Sequence, residues 1–146
     1  MVWYNYGKLV ILNHSHSEAV DLIADTMKVA LMKTSYSINI DTHDHWDDVS
    51  ASGIVATGYT AGGNALASKA ITQDNTNDRA ELDAADLTFS SIGNGSNDSF
   101  NQIIIWKDTT TPSTSPLVAH ATISSTTTNG GDVTLQWDAE GILQLS

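Results

Sequence analysis

Hydrophobic and polar positions alternate in short runs along most of this chain, and the runs are broken by turn residues roughly every ten positions. Residues 26–32 place Met27, Val29 and Leu31 on one face and Thr26, Lys28, Ala30 and Met32 on the other, the pattern of a half-buried strand. Residues 65–73 read as a second strand, followed by the polar turn Asp74 to Asp78 and a return strand from Arg79 to Leu82. Leu87 to Ile92 is the next, closed by Gly93-Asn94-Gly95, whose Asn-Gly step suits a turn with positive φ. Gln102 to Trp106 contains three consecutive isoleucines, which predicts a strand covered on both faces. Leu117 to Ile123 and Val133 to Trp137 alternate again, with the turn-rich stretch Ser124 to Gly131 between them. Asp138 to Gly141 then reverses the chain before Ile142 to Leu145.

Two segments near the N-terminus are ambiguous on this pattern. Tyr4 to Leu12 suits either a strand or a short helix, with Gly7 weighing against the helix. Ser17 to Ile23 suits a capped helical turn or another strand. His43 to Val49 reads as a loop or helical turn around Trp46. The fold class expected is therefore mainly β: an antiparallel β-sandwich, jelly-roll-like, with room for one short helix near the N-terminus. No linker or repeat divides residues 1–146, so a single domain is expected, with a short N-terminal arm over about residues 1–6.

Composition sharpens this picture. The chain has 17 acidic and 6 basic residues in 146, a formal net charge of −11. Nearly all the acids are aspartate, which favours turns and caps over helix interiors. Scattered Lys and Arg exclude a nucleic-acid binder that works by neutralising phosphates, and equally a basic membrane-surface helix. The absence of cysteine removes thiol catalysis, disulfides and Cys-ligated metals. The N-terminal stretch lacks the basic start and long apolar run of a secretory signal, and no run is long enough to span a membrane.

Candidate chemistry is sparse. His14-x-His16 and His43-x-His45 would each face one side of a strand and could chelate a metal, with carboxylates from Asp41 to Asp48 beside the second pair. A Ca²⁺ loop there lacks EF-hand spacing, and a solvated turn with Trp46 packed inward explains the same residues. Gly58-Tyr59-Thr60-Ala61-Gly62-Gly63 lacks the spacing and the Lys-Ser/Thr pair of a phosphate loop. It reads instead as a sharp structural turn built on Gly58, Gly62 and Gly63, with Tyr59 as an anchor. No nucleophile elbow occurs, so the expectation is a non-enzyme with no cofactor and no metal. Trp106 and Trp137 read as core. Trp3, Tyr4 and Tyr6 either cover one end of the sandwich or form an arm that contacts a capsid or a neighbouring subunit.

Several stretches together resemble small structural proteins of tailed bacteriophages. They are Tyr6-Gly7-Lys8, Asp25 to Leu31, Asp41-Thr42-His43 leading to Asp47-Asp48-Val49, Thr57 to Gly63, and Ser115-Pro116-Leu117 through Gln136 to Ile142. Gly-Tyr-Thr-Ala-Gly-Gly is the most specific block. The resemblance implies a virion component with a β-sandwich and no catalysis, some members of the family being capsid decoration (cement) proteins. The expected partner is then the major capsid protein, with self-association, a trimer favoured, and no nucleic acid or membrane. The net charge places such a protein on the capsid exterior, away from packaged DNA, after synthesis in the host cytoplasm. The alternative is a tail-tip or fibre-associated protein binding a host glycan, with an exposed Trp46 beside Asp44 and Asp47 as the sugar platform. A cupin-like metal enzyme using His43 and His45 is a third class.

Overall fold

The computed structural model describes residues 1–146, apart from the side chains of residues 94, 96 and 97. Twelve strands and two short α-helices follow one another along it: β1 (Val2–Trp3), α1 (Asn5–Leu12), β2 (Met27–Lys33), α2 (Trp46–Val49), β3 (Val55–Thr57), β4 (Asn64–Ala65), β5 (Ala70–Asp74), β6 (Arg79–Asp83), β7 (Leu87–Phe89), β8 (Gly93–Asn97), β9 (Ser99–Lys107), β10 (Leu117–Thr127), β11 (Val133–Leu135) and β12 (Leu143–Leu145). All pairings are antiparallel. The main sheet has the order β1-β10-β9-β2-β4, and three smaller sheets pair β12-β6-β5, β11-β7 and β3-β8. The protein is mainly β in a sandwich-like arrangement, with one helix near its N-terminus.

The main sheet is covered on both faces, and this explains its burial. Val29 and Leu31 of β2, with Ile103 and Ile105 of β9, join Leu82, Leu87, Phe89 and Leu143 of the smaller sheets in the larger core. Ala30 and Met32, with Ile104 and Trp106, point the other way into a second core closed by Tyr4, Tyr36, Trp46 and Val49. β2 is therefore not the half-buried strand its alternation predicts. Lys33 ends the strand, and Lys28, the lysine inside it, reaches the rim to meet Asp108 at 2.6 Å.

Other expectations need correction. The predicted strand over 65–73 is broken into β4 and β5, with Ser68 at φ 54° between them. Gly93 to Gly95 is not a turn but part of β8, and Gly93 bridges to Asn129. β10 runs on to Thr127, through half of the stretch read as turns. Residues 17–23 form turns, neither helix nor strand. Tyr4 to Leu12 resolves as α1, and Gly7 belongs in it. A Cβ at Gly7 would stand 2.6 Å from the Val118 carbonyl oxygen, so the missing side chain is what lets the helix lie against β10.

The aspartates sit where their chemistry predicts. Asp21, Asp25, Asp48, Asp74, Asp86, Asp108, Asp132 and Asp138 each accept a backbone N–H at 3.2 Å or less. Much of the negative charge is thus backbone capping for the turns between strands.

Candidate functional site

The turn Gly58 to Gly63 is a structural clamp. Gly58, Gly62 and Gly63 all have positive φ, as the reading of this block requires. The Gly62 carbonyl accepts the Trp106 indole N–H at 3.1 Å. Tyr59 packs its ring 5.7 Å from that of Phe89, and its hydroxyl accepts the Leu31 N–H at 2.9 Å. Burial pushes the Tyr59 hydroxyl up to about 12, partly offset by that N–H, so it stays neutral. The block ties β2 to the Trp106 side of the sheet.

The N-terminal aromatics do not form a free arm. Val2 and Trp3 pair with His120 and Ala119 of β10, and Tyr4 leads straight into α1. Tyr4 is fully buried, which removes it as a capsid or subunit contact. Its hydroxyl lies 3.2 Å from that of Tyr36, which in turn lies 2.9 Å from His43 Nδ1. The Asn39 N–H also donates to this Nδ1, at 3.3 Å, so the ring nitrogen is an acceptor and Tyr36 donates to it. Tyr6 is half-buried and donates to Glu18 Oε2 at 2.5 Å. Trp3 is half-buried, and its indole N–H donates to the Gln144 carbonyl of β12.

The two histidine pairs are not brought together as a metal centre. His43 faces Tyr36, whereas His45 Nε2 lies 2.8 Å from Glu18 Oε2. His14 and His16 lie in turns rather than on a strand, and His16 Nδ1 accepts the Glu18 N–H at 3.1 Å. Burial works against ionisation of Glu18, but hydrogen bonds from Tyr6 and His45 outweigh it and hold the carboxyl below its usual range. The same bond, added to burial, raises the Tyr6 hydroxyl to about 12. Glu18 therefore ties α1, the 13–26 turns and α2 into one knot. His45, Asp47 and Asp48 lie close to one another, but Asp48 Oδ2 already accepts the N–H groups of Asp44 and His45. A second carboxylate group, Asp74, Glu81 and Glu140, surrounds the Arg79 guanidinium, which supplies the positive charge there.

Trp46 is buried, as the reading of a turn with Trp46 packed inward has it, and is not the exposed platform that the glycan alternative needs. It stacks on Trp106 with ring centroids 4.6 Å apart and planes 9° from parallel. Trp137, read as core, is only half-buried and donates its indole N–H to the Ala85 carbonyl.

Sequence reasoning missed the surface that distinguishes this molecule, the sheet β12-β6-β5. Its register places Ile71, Ala80, Leu82, Leu143 and Leu145 on one face, with Gln73 the polar residue among them, and Thr72, Asp74, Arg79 and Glu81 on the other. Leu82 and Leu143 are buried in the larger core, but Ile71 and Leu145 are 50% and 52% exposed. These two, with Trp3, Leu22 and Ala80, line a shallow apolar groove at the end of the sheet. The apolar face thus runs past the edge of the core that covers it.

The chain matches no protein-family model and no curated protein.

The signal for this sheet was present, since Ile71, Leu82, Leu143 and Leu145 alternate within their own strands. What the sequence withheld was the pairing of β12 with β6, which places the three short runs side by side.

Proposed function

We propose that this protein is a capsid decoration (cement) protein of a tailed bacteriophage, bound to the outer surface of the head and self-associating there. The observation that carries the reading is the half-covered apolar face of β12-β6-β5, with Ile71 and Leu145 exposed on a molecule of net charge −11. An adhesive apolar face on an otherwise acidic body suits a protein that adds contact area between capsid subunits. The acidic charge suits the exterior, since DNA inside the head would repel it. The resemblance to phage structural proteins over nearly the whole chain supplies the virion setting. The major capsid protein is the partner in this reading, and the apolar face is what meets it. With Trp46 stacked against Trp106, no observation favours the glycan-binding alternative.

The test is reconstitution on heads that lack the protein. Wild-type protein is expected to bind in hundreds of copies per head and to raise the temperature at which DNA escapes, whereas Ile71→Asp combined with Leu145→Asp should bind poorly. Tail-level copy number in purified particles, or DNA release at an unchanged temperature, would overturn the proposal.

A further inference from the structure

His120 belongs neither to the Glu18 knot nor to the glycine clamp, and both of its ring nitrogens are buried without a hydrogen-bond partner. A neutral imidazole carries one donor and one acceptor, and a charged one carries two donors. Each form leaves polar atoms unpaired here, and the charged form fares far worse. The ring lies on the face of β10 that looks into the second core. Ile104 of β9 stands opposite it on one side and Val2 of β1 on the other, and the Tyr4 ring meets it edge-on with centroids 5.3 Å apart. The titratable groups around it offer no acceptor for a charge. The Tyr4 hydroxyl is engaged with that of Tyr36, which donates to His43. No carboxylate among the described residues acts on the ring, and the Met1 amine repels a second positive charge. Burial first and that amine second hold His120 below its ordinary 6.5.

The element that covers His120 is only lightly tied down. β1 is two residues long and meets β10 alone, with Val2 opposite His120 and Trp3 opposite Ala119. Val2 is half exposed, whereas Tyr4 just behind it is fully buried and anchors the start of α1. The chain can therefore swing away ahead of Tyr4 while both cores stay packed. Trp3 points to the opposite face of the sheet from Val2. Its indole N–H reaches the Gln144 carbonyl of β12 at 3.4 Å, a long bond, and its ring walls the groove lined by Leu22, Ile71, Leu143 and Leu145. Short, partly exposed ladders of this kind open at a small fraction of the free energy of global unfolding.

We propose that β1 is an acid-opened latch: a proton taken up by His120 releases Val2 and Trp3 from β10 and bares the apolar groove that Trp3 closes. The closed form has no place for the charge. In the open form the ring meets water and binds a proton at its ordinary value. Acid therefore favours the open form, by up to about tenfold per pH unit below 6.5, and neutral pH keeps the latch shut. One proton on a single ring thus governs how much of the apolar face a partner can reach. The latch is a property of the free chain and stands whether or not the groove meets a capsid.

Amide hydrogen exchange on the purified full chain, read residue by residue by NMR from about pH 7.5 to about pH 5, tests it. This range lies above the one in which the carboxylates titrate. After correction for the intrinsic pH dependence of exchange, protection at the Val2–His120 pair should fall by roughly tenfold or more toward acid. At every pH it should stay far below the protection of Ile104 in the middle of the sheet, because the opening is local. His120→Phe should hold the protection of the pair constant to within about twofold, and His120→Gln serves as a second variant that cannot be charged. Circular dichroism melts confirm that each variant is folded. Nile red, an uncharged dye that brightens on apolar surface, should bind more to the wild type in acid than to either His120 variant, and more to Trp3→Ala than to the wild type at neutral pH. Protection that is flat with pH overturns the inference, as does an equal fall in both His120 variants. So does exchange of the pair only in step with Ile104, or a Trp3→Ala protein that binds no extra dye.

Discussion

Replacing Gly63 with alanine tests the clamp at its tightest point. Gly63 has φ +79°, where a side chain costs about 1–2 kcal/mol from backbone sterics alone. The larger problem is room. A Cβ there would stand 1.8 Å from the Val29 carbonyl oxygen and 2.9 Å from Ala30 Cα, both backbone atoms of a central strand that cannot step aside. Clearing the methyl group means lifting β4 off β2, where Asn64 pairs with Val29 and Ala65 with Lys28. Ladder hydrogen bonds lost this way cost about 0.5–1.5 kcal/mol each. The combined penalty is about 2–5 kcal/mol, a large share of the roughly 5–15 kcal/mol that holds a domain together. For a chain of this length that is about 6–15 °C in melting temperature. Gly53 is the control: its φ is −62°, and a methyl carbon added there would meet nothing nearer than the Ser50 carbonyl oxygen at 3.3 Å. Gly53→Ala should change stability by less than about 1 kcal/mol. Urea denaturation of the two variants side by side is the assay, with the slope checked for constancy. A Gly63→Ala protein as stable as the Gly53→Ala protein would refute the close-approach argument.

Two further outcomes follow from the cores and the titrating groups. Trp46→Ala removes the stack on Trp106 from the second core and should cost about 3–5 kcal/mol, measured by the same denaturation, with a near-normal stability counting against a buried Trp46. Stability should also fall in acid in two stages, followed by melting temperature against pH. His120 is held below its ordinary 6.5, by burial first and by the N-terminal amine second, so the unfolded chain binds the proton more readily and stability declines as pH drops below 6.5. Glu18, Asp48 and Asp108 are held below their ordinary 4.5, 3.8 and 3.8, so what they contribute is complete above those values and is lost as pH falls through their lower folded values. His120→Phe should remove the upper stage and leave the lower one.

The sequence made some of this fold legible and hid the rest for identifiable reasons. Ile103 to Ile105 announced a strand buried on both faces because no polar residue interrupts it. β2 hid the same burial, because Lys28 breaks its apolar run and only the rim position beside Asp108 makes that lysine tolerable. The turn at Gly58 to Gly63 was readable from its glycines, which backbone geometry demands locally. Trp46 could be read as packed inward, but not against what: its neighbours in sequence are acids and histidines, and its partner, Trp106, is set by tertiary packing. His43 and His45 looked like one site because they are two residues apart. On an irregular segment that spacing fixes no common face, and the two rings meet Tyr36 and Glu18 separately. The apolar sheet face could not be assembled from its alternating residues for a related reason, since no single strand in it carries more than two of them and the pairing of β12 with β6 is set by tertiary structure.

The bridge between Gly93 and Asn129 also bears on how long the chain survives chemically. An Asn-Gly step ages by attack of the glycine nitrogen on the asparagine side chain, a reaction that needs both groups free to turn. At Asn129-Gly130 neither is. The Gly130 N–H is donated to the Ile92 carbonyl at 2.9 Å, and Asn129 Oδ1 accepts the Gly131 N–H at 3.1 Å. Deamidation at this step can then proceed only when the bridge between Gly93 and Asn129 opens. The rate at which the modified Asn129 peptide accumulates in stored protein, followed apart from that of Asn94-Gly95 by peptide mapping, becomes a clock for local opening at this place.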